Sequence, residues 1–217
     1  MSIVTPDGGL TALGYGVCVV AALILFAAAG LLSKNSKTRL STKQLVFCGV
    51  AMALSFVTSY IKLFSLPYGG SVTLFSMLFI VLIGNWYGAR TGIFTGLAYG
   101  ILQFLQEPYV LSPFQVCCDY VFAFAGLGLS GILKDTKNGL AKGYVLGILV
   151  RGAFHALGGY LYWMSYMPED FPKALTQLYP IIYNYSYILA EGVITLIVIS
   201  LPPVKRGIEQ IKRMACE

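Results

Sequence analysis

Long apolar stretches separated by short polar connections run along nearly the whole chain, and this pattern constrains the fold more than any other feature. About 20 apolar residues cross ~30 Å of hydrocarbon as a helix, which satisfies its own backbone hydrogen bonds. Seven stretches approach or exceed that length: 10–32, 43–63, 71–88, 90–106, 113–133, 143–166 and 180–202. Only 11% of the residues are charged, too few to cover a soluble globule. We therefore predict an all-α integral membrane protein.

Basic residues concentrate in alternate connections, and this asymmetry predicts the orientation. With the amino terminus outside, twelve lie on the cytoplasmic side: Lys34, Lys37, Arg39, Lys43, Arg90, Lys134, Lys137, Lys142, Lys205, Arg206, Lys212 and Arg213. Only Lys62 and Lys173 then lie outside, and Arg151 lies within a helix. The positive-inside rule thus predicts a multi-pass protein of a bacterial cell membrane with its amino terminus outside and its carboxyl terminus in the cytoplasm. The net charge of +6 reflects this topology and not nucleic-acid binding.

Few polar side chains interrupt the apolar stretches, and these are the first candidates for function because intramembrane charges cost at least a few kcal/mol. They are Gln115 and Asp119 beside Tyr120, Arg151 and His155, and Asn184 and Glu191. His155 is as readily interpreted as a hydrogen-bonded core histidine as a ligand contact. Asp119 and Glu191 could form a structural ion pair with Arg151. Since one arginine cannot neutralise two carboxylates, we expect one acid to await a cationic ligand.

The sixth stretch places four of its residues near one face. Arg151, His155, Gly159 and Trp163 recur every four residues, and His155 and Trp163 stand ~12 Å apart along a helix axis. A flat two-ring ligand could lie against this face. Trp163 alone would equally suit an aromatic belt at the membrane interface.

Small residues at four-residue spacing allow helices to approach closely. The fourth stretch has such a ladder in Gly88, Gly92, Gly96 and Gly100, and the second stretch has the pair Gly49 and Ala53. The ladder could pack inside the bundle or face a partner protein. Both interpretations fit the spacing.

Several catalytic signatures are missing from the sequence. There is no G-x-x-x-x-G-K-[ST] motif, so the chain has no P-loop with which to hydrolyse ATP. A single histidine excludes H-E-x-x-H and most zinc sites, and no G-x-S-x-G occurs. We expect no metal, no cofactor and no enzymatic activity.

Three motifs in the same order resemble the thiamine-specific S-component family of energy-coupling factor transporters. They are Tyr109-Val-Leu-Ser-Pro-Phe-Gln115-Val-Cys-Cys-Asp119-Tyr120, Phe154-His155-Ala-Leu-Gly-Gly-Tyr-Leu-Tyr-Trp163 and Tyr179-Pro-Ile-Ile-Tyr183-Asn184-Tyr185-Ser-Tyr187. The similarity runs from about Lys43 to Lys205. It implies a six-helix bundle that captures thiamine from outside and is driven by a transmembrane coupling protein with two ATPases. Residues 41–217 would form that domain, and 1–40 an extra transmembrane helix with a cytoplasmic loop.

The resemblance also implies roles for individual residues. The substrate-binding positions would be Asp119, Tyr120, Tyr109, His155, Trp163, Tyr179 and Asn184, to which we add Gln115 and Glu191 as intramembrane polar neighbours. Trp163 would stack on the ligand, and Tyr179 and Asn184 would contact its pyrimidine. Gly49 and Ala53 would dock the coupling protein. The family usually has glutamate where this chain has Asp119, which is one methylene shorter.

Alternatives remain open from the sequence. The chain could bind another vitamin or a thiamine precursor such as a hydroxymethylpyrimidine. It could be an intramembrane enzyme that uses His155 with Asp119, or a structural subunit, although the latter leaves the intramembrane charges without a purpose.

Overall fold

The computed structural model describes Thr5, residues 10–16, Val20 and residues 40–217. Those residues are mostly helical, which confirms the all-α class. In chain order the elements are α1 (Thr42–Ser59), β1 (Lys62–Ser65), β2 (Ser71–Thr73), α2 (Ser76–Tyr87), α3 (Ala89–Gln106), α4 (Pro113–Leu133), α5 (Gly139–Tyr162), α6 (Tyr179–Ser200) and α7 (Pro202–Cys216). Four helical segments of the described residues are long and apolar enough to cross a membrane: 42–59, 113–133, 139–162 and 173–200.

The expected first helix, 10–32, lies mostly outside the described residues, and so does most of the expected 1–40 segment. Within that stretch, residues 12–16 are helical. The division into an extra helix and a six-helix domain therefore stays a prediction.

Helix α2 lies at the centre of the bundle, in contact with α1, α3, α4 and α5. Nine of its twelve residues are buried, and Ile80, Val81 and Ile83 have no exposed surface. A helix that is apolar all round suits this position because every face meets another helix. The helices around it carry exposed Val, Leu and Ile on their outward faces, where a membrane protein meets lipid.

The glycines of α3 let α4 approach to backbone contact. A Cβ at Gly96 would overlap the carbonyl oxygen of Phe124, and one at Gly100 would overlap that of Tyr120. At Gly92 a Cβ would lie 2.7–2.9 Å from backbone atoms of two further glycines. These three members of the ladder therefore pack inside the bundle, as small residues do at close helix crossings.

The expected helical stretch 71–88 is wrong over its first residues, which form a β-hairpin with β1. Phe64 pairs with Val72 in this hairpin, and its turn contains Pro67 and Gly69, with φ of 96° at the glycine. Such a positive φ favours glycine. The Pro-Tyr-Gly-Gly run between the two stretches is a turn signal. The expected helix 43–63 is also wrong at its end, because α1 ends at Ser59 and β1 begins at Lys62.

Helix α7 was not expected, because the chain beyond 202 contains no apolar run. Val204, Ile208 and Ile211 recur at helical spacing, and this pattern was a usable signal. Its carboxyl end packs on the bundle: Ala215 is 3% exposed and accepts a hydrogen bond from the Tyr87 hydroxyl at 3.0 Å. The helix thus crosses the basic end of the bundle.

Candidate functional site

A cavity of about 460 Å³ opens at the end of the bundle that carries the hairpin, the connection 107–112 and the connection 163–178. Its wall combines the hairpin turn with inward faces of α3, α4, α5 and α6. The volume lies within the range of small-molecule sites. Nine sequence-predicted residues line it: Tyr109, Gln115, Asp119, Tyr120, His155, Trp163, Tyr179, Asn184 and Glu191.

Asp119 projects from an irregular turn of α4. The segment Cys117–Phe122 is π-helical, a local widening that is frequent at functional sites. One carboxylate oxygen, Oδ2, accepts a hydrogen bond from Gln115 Nε2 at 2.7 Å. The other, Oδ1, lies 3.1 Å from Nδ1 of His155, and a Cβ at Gly158 would lie 2.9 Å from it. A glycine therefore makes room for the carboxylate between α4 and α5.

The protonation of His155 follows from its second neighbour. Arg151 Nε lies 3.4 Å from His155 Nε2, and an arginine nitrogen can only donate. Nε2 must therefore accept, so the ring proton lies on Nδ1 and is donated to Asp119. In this arrangement His155 is neutral.

The structural ion pair with Arg151, one of the sequence interpretations, is not formed within residues 40–217, where neither Asp119 nor Glu191 lies within 4.0 Å of its guanidinium. Glu191 is instead held by uncharged donors: Oε2 accepts from the Thr73 amide at 2.8 Å and hydroxyl at 2.6 Å, and Oε1 accepts from the Met77 amide at 3.3 Å. Glu191 is 3% exposed. Its contacts favour a structural role that ties α6 to the start of α2.

Aromatic rings cluster at the mouth of the cavity. The Tyr109 and Trp163 ring centroids lie 4.8 Å apart, with the planes at 33°. Tyr166 lies 5.0 Å from Trp163 and 5.3 Å from Tyr68, and its hydroxyl is 3.2 Å from that of Tyr109. We call these four residues the mouth cluster. Such a group of rings attracts an organic cation through its electron-rich faces.

Sequence reasoning missed Tyr68 and Tyr166. Both belong to irregular connections, where no helical spacing relates them to the other site residues. The only available signal was the richness of these connections in aromatics and proline.

Asn184 lies deeper in the cavity, and both polar atoms of its side chain form hydrogen bonds within the protein. Nδ2 donates to the carbonyl oxygens of Pro180 at 2.8 Å and His155 at 3.3 Å, while Oδ1 accepts from the Tyr187 hydroxyl at 3.0 Å. Tyr179, the first residue of α6, lies five residues earlier and is 8% exposed. A ligand contact from Asn184 would have to share these atoms.

Tyr120 and Tyr183 connect the wall to its loops. The Tyr120 hydroxyl donates to the Glu107 carbonyl at 2.7 Å. Tyr183 donates to the Pro67 carbonyl and accepts from the Gly70 amide at 3.1 Å, so α6 holds the hairpin turn. These bonds fix the irregular connections around the cavity.

Gly49 and Ala53 lie apart from the cavity, on the outward face of α1. Nothing lies within 4 Å of a Cβ placed at Gly49. The neighbouring Val46, Val50 and Val57 are 51–61% exposed. This outward face of α1 is therefore open to another helix or to lipid.

Comparison with known proteins identifies the family. Residues 45–210 match the model of the family described as Thiamine transporter protein (Thia_YuaJ). The chain belongs to this thiamine transporter family. This family member is 32% identical over 151 residues to the thiamine transporter ThiT of Bacillus subtilis, covering 63% of this chain and 77% of that protein. It is 23% identical over 175 residues to ThiT of Lacticaseibacillus paracasei, covering 72% and 82%.

A solved structure of ThiT from Listeria monocytogenes has a similar fold, with a TM-score of 0.58, 24% identity and coverage of 74% of this chain and 94% of that chain. Family membership makes the chain a membrane component of thiamine uptake. Its relatives are named transporters, so its role is transport and not catalysis, and the alternative of an intramembrane enzyme is set aside.

Proposed function

We propose that the chain binds thiamine in the cavity, as the substrate-binding subunit of an ATP-driven importer of the energy-coupling factor type. The observation that carries the binding proposal is the charge of the cavity wall. Glu107 and Lys62 pair with each other at the exposed rim. Deeper in the cavity, the two carboxylates of Asp119 and Glu191 face one cationic side chain, Arg151. With His155 neutral, the wall has an excess of one negative charge inside a bundle where charge is costly. A monovalent cation would neutralise it.

Thiamine fits this wall chemically. It joins a permanently cationic thiazolium ring to a neutral aminopyrimidine, and both rings are flat. The mouth cluster offers faces for the cationic ring, and Asp119 lies deeper, with both oxygens directed by Gln115 and His155. Because a thiazolium nitrogen has no proton to donate, its attraction to Asp119 is a matter of charge and proximity and not of a hydrogen bond.

A binding titration tests the ligand. The purified protein in detergent is titrated with thiamine and, in parallel, with the neutral hydroxymethyl aminopyrimidine, following tryptophan fluorescence and thermal unfolding. We expect saturation by thiamine at micromolar concentration or below and a far weaker response to the neutral pyrimidine. An absent response to thiamine would contradict the proposal, and tighter binding of the pyrimidine alone would favour a precursor transporter.

Energy for uptake would come from a partner. The sequence has no P-loop, which is consistent with ATP hydrolysis in separate subunits. The positive-inside asymmetry supports an orientation in which the basic end of the bundle faces the cytoplasm and the cavity opens outward. The outward face of α1, with Gly49 and Ala53, would let a coupling helix approach closely.

Bulky residues on α1 test the coupling. Gly49→Trp with Ala53→Trp should leave thiamine binding in detergent nearly unchanged, because this face lies outside the cavity. Co-purification with the coupling module and uptake in cells should be lost. Normal uptake by this variant would mean that the partner docks elsewhere.

A further inference from the structure

Arg151 lies at the inner end of the cavity, one helical turn deeper than His155 on α5. Its guanidinium lies over the ring of Phe124, with Cζ 4.4 Å from the ring centroid. The Phe124 ring stabilises the positive charge from one face of the guanidinium plane. The hydrogen-bond donors point outward from the edge of that plane.

Most of these donors are unused. A guanidinium has five N–H groups, yet within residues 40–217 the one hydrogen bond that Arg151 makes is from Nε to His155. The nearby acids do not take the rest, because Asp119 is held by Gln115 and His155. Glu191 in turn accepts its hydrogen bonds from β2 and α2. The terminal amino groups of Arg151 are therefore available to an acceptor that enters the cavity.

We propose that Arg151 is a further ligand-contacting residue, which donates a hydrogen bond to an acceptor atom on the neutral end of the ligand. The assignment rests on the proposed function and adds an orientation to it. A fixed positive charge at the inner end repels the cationic ring toward Asp119 and the mouth cluster. The same group attracts a ring nitrogen of the aminopyrimidine, so the neutral ring enters first.

Two ligands that share the thiazolium ring test this contact. The first is thiamine; the second is its benzylthiazolium analogue, in which a phenyl ring replaces the aminopyrimidine and leaves no acceptor. Arg151→Gln should weaken thiamine binding about tenfold or more, the scale of a hydrogen bond from a charged donor. The same variant should bind the analogue as tightly as the parent protein does, or more tightly, because a repulsive charge has been removed. Arg151→Lys keeps a charged donor, so its affinity for thiamine should lie between those of the parent protein and Arg151→Gln.

The controls distinguish contact from scaffolding. Arg206→Gln makes the same substitution on the exposed face of α7, away from the cavity, and should change neither affinity. Thermal unfolding of each unliganded variant reports whether it is folded. If Arg151→Gln weakened both ligands by the same factor, Arg151 would act by holding His155, and the contact would be excluded. Unchanged thiamine affinity would exclude it too. If the parent protein itself failed to bind thiamine, that result would contradict the proposed function, and it is distinguishable from a failure of the Arg151 contact alone.

Discussion

The two ends of the bundle are built differently. At the cavity end the backbone is irregular: a hairpin, a π-helical turn in α4 and short 3₁₀ turns after α5 surround the opening. At the basic end, α2 and α3 meet through a single glycine, Gly88, and α7 lies across the helices. Irregular backbone at membrane depth is tolerated where it is buried in protein or lines a cavity. The irregular segments around the opening line the cavity, whereas the 3₁₀ segment Gly128–Leu133 at the basic end is packed against α2, α3 and α5.

The forces that hold the two ends also differ. At the cavity end, side chains bind across elements far apart in sequence, as Glu191 does with Thr73 and Tyr183 with Pro67. At the basic end, backbones touch through glycine, with Gly92 against Gly84 and Gly128. The basic end is therefore a packed platform whose geometry is set by volume. The cavity end is a polar network whose geometry is set by hydrogen bonds.

The largest effect is expected from adding volume to the platform. In Gly92→Leu the side chain would meet backbone atoms that cannot rotate away, so α2, α3 and α4 must separate. We expect a loss of about 3 kcal/mol or more, the upper range for overpacking, seen as a lower folded yield and a lower unfolding temperature. Gly49→Leu is the matched control, with open space around it. Equal stability of the two variants would break the distinction between platform and outward face.

A smaller effect is expected from removing charge at the cavity end. Asp119→Asn should weaken thiamine binding by about 1.5–3 kcal/mol while retaining the folded yield, because the amide keeps the shape but not the charge. Glu107→Gln is the matched control: that carboxylate is paired with Lys62 at 2.6 Å, but its side chain is 60% exposed, so the change should be at most ~1 kcal/mol. If Asp119→Asn titrated like the parent, Asp119 would be structural and Glu191 would become the candidate.

The sequence allowed the polar wall of the cavity to be predicted because charge within a membrane is rare. The four-residue spacing on α5 placed Arg151, His155, Gly159 and Trp163 on one face, and all four line the cavity. Their spacing within one helix is a local property, fixed by helix geometry. The spacing of the glycine ladder on α3 also allowed close helix packing to be predicted, although it did not indicate which helix would pack there.

Contacts between distant segments could not be predicted in this way. Glu191 was expected to await a cation or to pair with Arg151, whereas it binds Thr73, 118 residues earlier. That contact depends on strand β2, which was expected to be the start of the helical stretch 71–88. The position of the proton on the His155 ring depends on Arg151 and Asp119 together. Spacing alone does not determine this three-residue arrangement.

The smallest effect, and the sharpest comparison of the two ends, comes from the two tryptophans of the chain. Trp163 belongs to the mouth cluster, and Trp86 lies at the basic end beside Phe47, with ring centroids 6.1 Å apart. A thiazolium ring stacked on Trp163 should quench its fluorescence, so Trp163→Ala should abolish the quenching and weaken binding by about 0.5–2 kcal/mol. Trp86→Phe should retain both the quenching and the affinity. Quenching that persists in Trp163→Ala and vanishes in Trp86→Phe would move the ligand to the basic end and reverse the assignment of the two ends.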